Sequence, residues 1–261
     1  MPIIKVKELL ESGIHFGHSS SRWNPKMAPY IFGKRNKIHI IDLRQTLRGL
    51  IKASHVLKKV GGSGGQVLFV GTKRQARDII IKEANRCGMP FVADRWIGGT
   101  LTNLAVIRSR MKRLDEIEQI EQAGKIETMD KKEAAGLRRE LRRLRRNLGG
   151  IRKMARLPEA IVAVDPRKEK IAVTEAKKTG VSVIALVDTD GDPDDVDIPI
   201  PGNDDALRSI EIVLRTLTDA IIAGGAGRTI PMVQPAATVA PAAPVALAGP
   251  APSQAPAGPA H

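Results

Sequence analysis

The apolar run 66–71 (QVLFVG) ends at Gly71, and Thr72, Lys73 and Arg74 follow at the mouth of a helical pattern. This is the place where α/β proteins hold nucleotide phosphates. A phosphate loop needs G-x-x-x-x-G-K-[ST]; here Thr72 precedes Lys73, and position 66 is Gln where the first glycine should stand. A dinucleotide fingerprint fails too, because the glycines of 61–65 precede the strand instead of following it. Thr72 with Gln75 predicts a capping box, and Gly71 predicts the turn out of the strand. Lys73 and Arg74 oppose the helix dipole at a cost of about 0.3–1 kcal/mol each, which an anion at the helix mouth would remove. Arg95 and the pair Arg167-Lys168 occupy equivalent strand-to-helix junctions. Together they predict a phosphate-binding surface, with solvated surface cations as the plain alternative.

Two further basic segments point the same way. Residues 15–43 read as a loop in which Arg22, Lys26, Lys34, Arg35 and Lys37 interleave with Trp23, Tyr30 and Phe32, and Arg44 follows directly. Bases can grip phosphate while rings stack on nucleobases, although such rings more often anchor a core. Residues 131–156 hold 11 bases and two acids, among them Arg138, Arg142, Arg145 and Arg146. That ratio leaves too few acids for i,i+4 pairing, so contact with RNA or an acidic protein is expected. Arg108 and Arg110 join the candidate RNA contacts from the preceding helical segment.

Metal chemistry has one candidate. His15 and His18 form an H-x-x-H pair, and the acidic stretch 188–197 and Asp205 lie at the other end of the chain. His15, His18, Asp188 and Asp205 could together hold a divalent ion, Zn or Mg, the alternative being ordinary structural histidines. The stretch 188–197 fits a calcium loop poorly, because its glycine stands at the fourth position counting Asp188 as the first, not the sixth, and Pro199 replaces the closing Glu. It could equally repel RNA or dock a basic protein. No Ser/His/Asp arrangement is recognisable. The single cysteine, Cys87, excludes an internal disulfide.

These residues need a frame. Apolar runs at 37–41, 66–71, 90–93, 160–164 and 181–187 lack two-residue alternation, which suits strands covered on both faces. Helical patterns separate them. Residues 42–60 place Leu43, Leu47, Leu50, Ile51, Ser54 and Leu57 on one face, behind an Asp42–Gln45 capping pair, and a last helix is expected over 204–222. The alternation predicts a Rossmann-like (flavodoxin-like) parallel sheet with helices on both faces, formed by 1–100 and 158–223. The connection 101–157 is too long for a crossover. Ala134, Leu137, Leu141, Leu144, Leu148 and Ile151 follow a heptad, and Leu104, Ile107, Met111, Leu114, Ile117 and Ile120 a looser one, with a turn at 124–129. An inserted antiparallel coiled-coil hairpin is expected. From 224 the Ala/Pro-rich sequence predicts a disordered tail.

Charge bounds the partner. A net +14 points to nucleic acid before membrane. Segments 1–60, 61–100, 101–157 and 158–261 carry net +9, +3, +8 and −6, so the binding surface should draw on the first 157 residues. No apolar stretch is long enough to span a bilayer and no signal-peptide pattern opens the chain, so a cytoplasmic protein without membrane contact is expected.

Longer motifs add a resemblance. GIHFGH, RWNPKMAPYIFGKRNKIHIIDL, LFVGTKRQA, RWIGGTLTN, NLGGI, LPEAIVAVDPRKEKIAVTEA and IPIPGNDDALRSI occur in this order over roughly residues 1–224. The sequence so resembles the bacterial S-two family, the second protein of the small ribosomal subunit. The resemblance implies a Rossmann-like domain with a protruding coiled coil, bound to 16S rRNA between head and body, without catalysis or a required cofactor. It further implies neighbouring small-subunit proteins as partners, including the large mRNA-binding protein, and no homo-oligomer. Arg22, Lys26, Lys34, Arg35, Lys73, Arg74 and Arg95 lie in matching motifs and become expected rRNA contacts. The sequence departs from the family at Asp190-Gly191, where Asn-Cys is common, and at Asp195 and Ile198, where Gly and Tyr are frequent. A nucleotide-binding enzyme and a protein-docking scaffold remain as alternatives, the first weakened by the missing glycine fingerprint.

Overall fold

A computed structural model describes residues 6–154 and 156–226; the expected tail lies outside them from residue 227 onward. Five parallel strands form the central sheet: β4 (Val67–Val70), β5 (Phe91–Val92), β6 (Ala160–Val164), β7 (Ser182–Val187) and β8 (Ile198–Pro201), in the order β5-β4-β6-β7-β8. Numbered within the sheet, that order is 2-1-3-4-5, the flavodoxin-like winding, whose crevice lies between the first and third strands. β4 and β6 are buried at every position, which is why they read as continuous apolar runs. β8 carries Pro199 and Pro201, tolerated because it is an edge strand whose outer amides need no partner.

Alternate residues of each strand feed two cores. On one face Phe69, Val162 and Leu186 pack with α2 (Leu43–Ser63), α3 (Arg74–Cys87) and α8 (Leu207–Gly225). On the other, Leu68, Ile161 and Val183 pack with α7 (Lys170–Thr179) and with α4 (Leu104–Gln122) and α6 (Lys131–Leu148) of the long insertion. Contact between α2 and α8 depends on glycine: a Cβ on Gly61 would strike the Ile221 carbonyl oxygen, and one on Gly224 that of Lys58.

Within 101–157 the expected pair of helices forms. Arg113 reaches Glu140, and Arg145 reaches Glu118 and Glu121 at 3.0 and 3.1 Å, so ion pairs link α4 to α6. Ile107, Leu114, Ile117, Ala134, Leu141, Leu148 and Ile151 are buried, while Leu104, Met111, Ile120, Leu137 and Leu144 are half-buried. Gly124, in the left-handed region at φ +68°, leads into a single turn, α5 (Lys125–Thr128), where the turn was expected.

Segment 15–43 is not a loop. After α1 (Val6–Glu11) it forms a separate antiparallel sheet of β1 (Phe16–Ser19), β2 (Ile31–Arg35) and β3 (Ile38–Ile41), ordered β1-β3-β2. The run 37–41 therefore belongs to this sheet and not to the parallel one. Asn36 and Lys37, both at positive φ, make the two-residue turn between Arg35 and Ile38 that a type I′ hairpin requires. Asp42 caps α2 as expected, accepting from the Arg44 amide, but its own amide donates to the Tyr30 carbonyl in place of the expected partner Gln45. Ile51, however, is 55% exposed; Thr46, Leu50, Ala53, Leu57 and Gly61 make the buried face instead.

Candidate functional site

The crevice between β4 and β6 is where this winding places a ligand, and here the chain fills it with its own side chain. Glu169, 3% exposed just before α7, accepts the Thr72 amide at 2.6 Å and the Thr72 hydroxyl at 2.7 Å. Burial raises the Glu169 pKa, and the two hydrogen bonds from Thr72 oppose that rise. The expected capping box is thereby overturned: Lys73, not Thr72, stands at the N-cap, with no side-chain cap bond, because the Thr72 hydroxyl is committed to a partner 97 residues away. Gly71 also has another role than the expected turn. A Cβ there would strike Ile80 Cδ1, so glycine lets α3 lie close on the strand.

Lys73 is the second correction. Its ammonium is paired within the chain: it lies 2.7 Å from Asp204, 2.7 Å from Asp205 and 3.9 Å from Asp165, with its side chain 13% exposed. Internal carboxylates, arriving from the ends of β6 and β8, offset its position against the helix dipole. Burial costs the Lys73 charge something, but hydrogen bonds that it donates to Asp204 and Asp205 outweigh it and raise the pKa. Asp204 is pushed up to about 7, chiefly by burial and then by Asp165 and Asp188, against the pull of Lys73.

His18 completes this acidic group. Its Nδ1 is 3.0 Å from Asp188 and its Nε2 3.5 Å from Asp205. The hydrogen bond that the ring donates to Asp188 is the largest influence on it and holds its pKa up to about 9 despite partial burial. His18, Asp188 and Asp204 each offer a ligand atom within 4.8 Å of the others. Of the four expected metal residues, His18, Asp188 and Asp205 thus converge and His15 does not. The His15 ring packs on Phe16 at 4.0 Å, its Nδ1 has no partner, and burial lowers its pKa. Side chains of an extended segment alternate faces, so a three-residue spacing does not stack two rings as a helix would. Asp204, which the sequence reading overlooked, takes its place.

The acidic stretch is neutralised from within. Lys26 bridges Asp192 and Asp194 at 2.8 Å each, Arg167 meets Asp190 at 2.7 Å, and Lys177 meets Asp195 at 3.1 Å. The stretch acts as a strap tied to the body and offers little charge to repel RNA or hold a basic partner. Lys26, expected to touch RNA, is ion-paired within this strap.

The remaining candidates divide cleanly. Arg145 is paired with Glu118 and Glu121 on α4. Arg22, Lys34, Arg35, Lys37, Arg74, Arg95, Arg110, Arg138, Arg142 and Arg146 are all exposed. None of these ten forms a salt bridge among the described residues. Arg108 is exposed as well. Among the rings, Trp23 packs on His39 at 5.1 Å and Tyr30 is half-buried against the second core, whereas Phe32 is 80% exposed.

One polar group invisible to the sequence reading governs the route into the insertion. Glu175 on α7, 7% exposed, accepts hydrogen bonds from Trp96 Nε1 (3.1 Å), the amides of Gly99 (2.8 Å), Leu101 (3.0 Å) and Thr102 (3.3 Å), and the Thr102 hydroxyl (3.2 Å). Burial alone would raise its pKa, but these donors win and hold it below the ordinary value. Gly99, at φ +93°, lets the RWIGGTLTN segment curl around the carboxylate. No helix among the described residues is long and apolar enough to cross a membrane.

A family model described as Ribosomal protein S2 matches residues 9–224. The small ribosomal subunit protein uS2 of Rhodopirellula baltica is 54% identical over 236 residues, covering 90% of each chain. An S-two sequence over nearly all the described residues, with the nucleotide crevice closed by its own glutamate, leaves one conclusion: the chain belongs to the ribosomal protein S2 family, structural and non-enzymatic proteins of the small ribosomal subunit.

Proposed function

We propose that the protein binds 16S rRNA through cations the fold leaves unneutralised, with the α4–α6 pair acting as a coiled-coil arm. The observation that carries this reading is the division just described. Lys26, Lys73 and Arg145 are consumed by internal acids, whereas Arg138, Arg142 and Arg146 project from α6 without an ion pair among the described residues. A helix with so many unmatched like charges is self-repelling until a polyanion arrives. Binding of purified protein to 16S rRNA should weaken linearly in log–log salt plots. Changing Arg138, Arg142 and Arg146 together to Gln should lower the slope by roughly 2–3, at about 0.7–0.9 per phosphate neutralised. An unchanged slope would remove the arm from the interface. On the same reading the protein sits among neighbouring small-subunit proteins and helps to dock the large mRNA-binding protein.

The acid group supports a second, smaller proposal. His18, Asp188 and Asp205, with Asp204, form a donor set of one imidazole and carboxylates that suits a divalent ion such as zinc. A bound ion would supply the positive charge that His18 and Lys73 now provide, so binding must release the His18 proton. Zinc affinity, followed by competition with a chromophoric chelator, should rise with pH through about 9, where half of His18 is deprotonated, and level off above it. His18→Ala should abolish both the affinity and the proton release. Zinc binding indifferent to that substitution would place any ion elsewhere.

A further inference from the structure

We infer that the outward face of α2 is a second RNA-backbone contact, on the opposite side of the sheet from the α4–α6 arm. The inference rests on the RNA-binding reading above and extends it from Arg44 to residues outside the expected contacts. Arg44, Arg48, Lys52, His55 and Lys59 follow one another by four, four, three and four residues. At 3.6 residues per turn they fall within an arc of about 80° and run for about 22 Å along the helix. All are exposed, and Lys58 flanks them. The buried line of Leu50, Ala53 and Leu57 lies on the far side, against the sheet and α8.

The stripe is unmatched. α2 contains no Asp or Glu, and none of its cations forms a salt bridge among the described residues. Its neighbours on the same layer behave differently: Lys82 pairs with Glu211, and Arg86 with Glu83 and Asp219. Like charges at i,i+4 work against the helix that carries them, so the arrangement suits a protein whose resting state includes a polyanion.

The chemistry selects which polyanion. A lipid surface would need the apolar face of the helix, and that face is buried in the core. A protein partner would want an apolar or aromatic centre, whereas the stripe offers only Ile51. A narrow row of exposed cations matches a phosphate backbone.

The test uses the full-length protein and 16S rRNA. Arg44→Gln, Arg48→Gln and Lys52→Gln in one chain should lower the log–log salt slope by roughly 2–3. The thermal midpoint should stay level or rise as repulsion is relieved. An unchanged slope, with the α6 variant still reducing it, would overturn this inference and leave the RNA reading intact. A wild-type protein without salt-sensitive RNA binding would overturn both. A photo-crosslinker at position 52 in assembled subunits provides an independent measurement. Nucleotide adducts support the assignment; peptide adducts alone would replace RNA with an acidic protein and overturn it.

Discussion

Lys73→Met should destabilise the protein by about 3 kcal/mol while leaving the salt dependence of RNA binding unchanged. The variant removes the cation facing Asp204, whose side chain is 1% exposed, and leaves that carboxylate buried without its partner. Breaking a buried pair in this way typically costs about 3–5 kcal/mol; the lower end applies because Asp205, the other close partner, is 51% exposed and can turn to water. The penalty should ease in acid. Asp204 has a raised pKa, so the folded state prefers its protonated form, and that preference is lost as pH rises through about 7. Unfolding in urea at pH 5 and pH 8 should therefore show the larger loss at pH 8. Asp204→Asn in the same chain should recover part of it. A Lys73→Met protein of normal stability but reduced salt slope would restore Lys73 to the RNA interface.

Glu175→Gln should cost about 2–4 kcal/mol, with its effect concentrated on 96–102 and the start of α4. Hydrogen bonds to a charged acceptor contribute about 1.5–3 kcal/mol each, and their buried donors are expensive to strand. A glutamine turns an NH2 group toward donors that need an acceptor, and it carries no charge. Hydrogen exchange should report early opening at Gly99, Leu101 and Thr102. The acid limb gives a second readout. The folded pKa of Glu175 lies below its unfolded value, so its contribution is complete above about pH 4.3 and disappears as pH falls through the lower folded value. Wild-type and variant stabilities should converge there. Parallel acid limbs would show that the carboxylate charge contributes nothing.

Both residues show where a linear reading of the chain stops. The buried strands β4, β6 and β7 were legible because helices cover both their faces, and burial at every position but Ser182 leaves an almost unbroken apolar run. β8 was hidden by its prolines, admissible only at an edge that the sequence does not announce. The hairpin of β2 and β3 was hidden for a related reason: its turn places Lys37 at φ +63°, a conformation for which lysine gives no signal. Thr72 and Gln75 matched a capping box in spacing, and a local rule had no means of weighing Glu169. Basic residues were easy to find, but their use was not. Lys26 and Lys73 look like Arg22 and Arg74 in sequence; only the fold supplies the aspartates that occupy the first pair. Ile51 was assigned inward by type, and its exposure marks the face where the α2 cations stand.

The carboxylate of Glu169 has one further consequence. Anchored to α7 and already seated on Thr72, it is an intramolecular competitor, and tethered groups commonly act at effective concentrations in the millimolar range. A free nucleotide would have to displace it without a glycine-rich loop to help. The crevice thus presents a carboxylate where a nucleotide site would present free donors, and any phosphate approaching Thr72 meets a negative charge first.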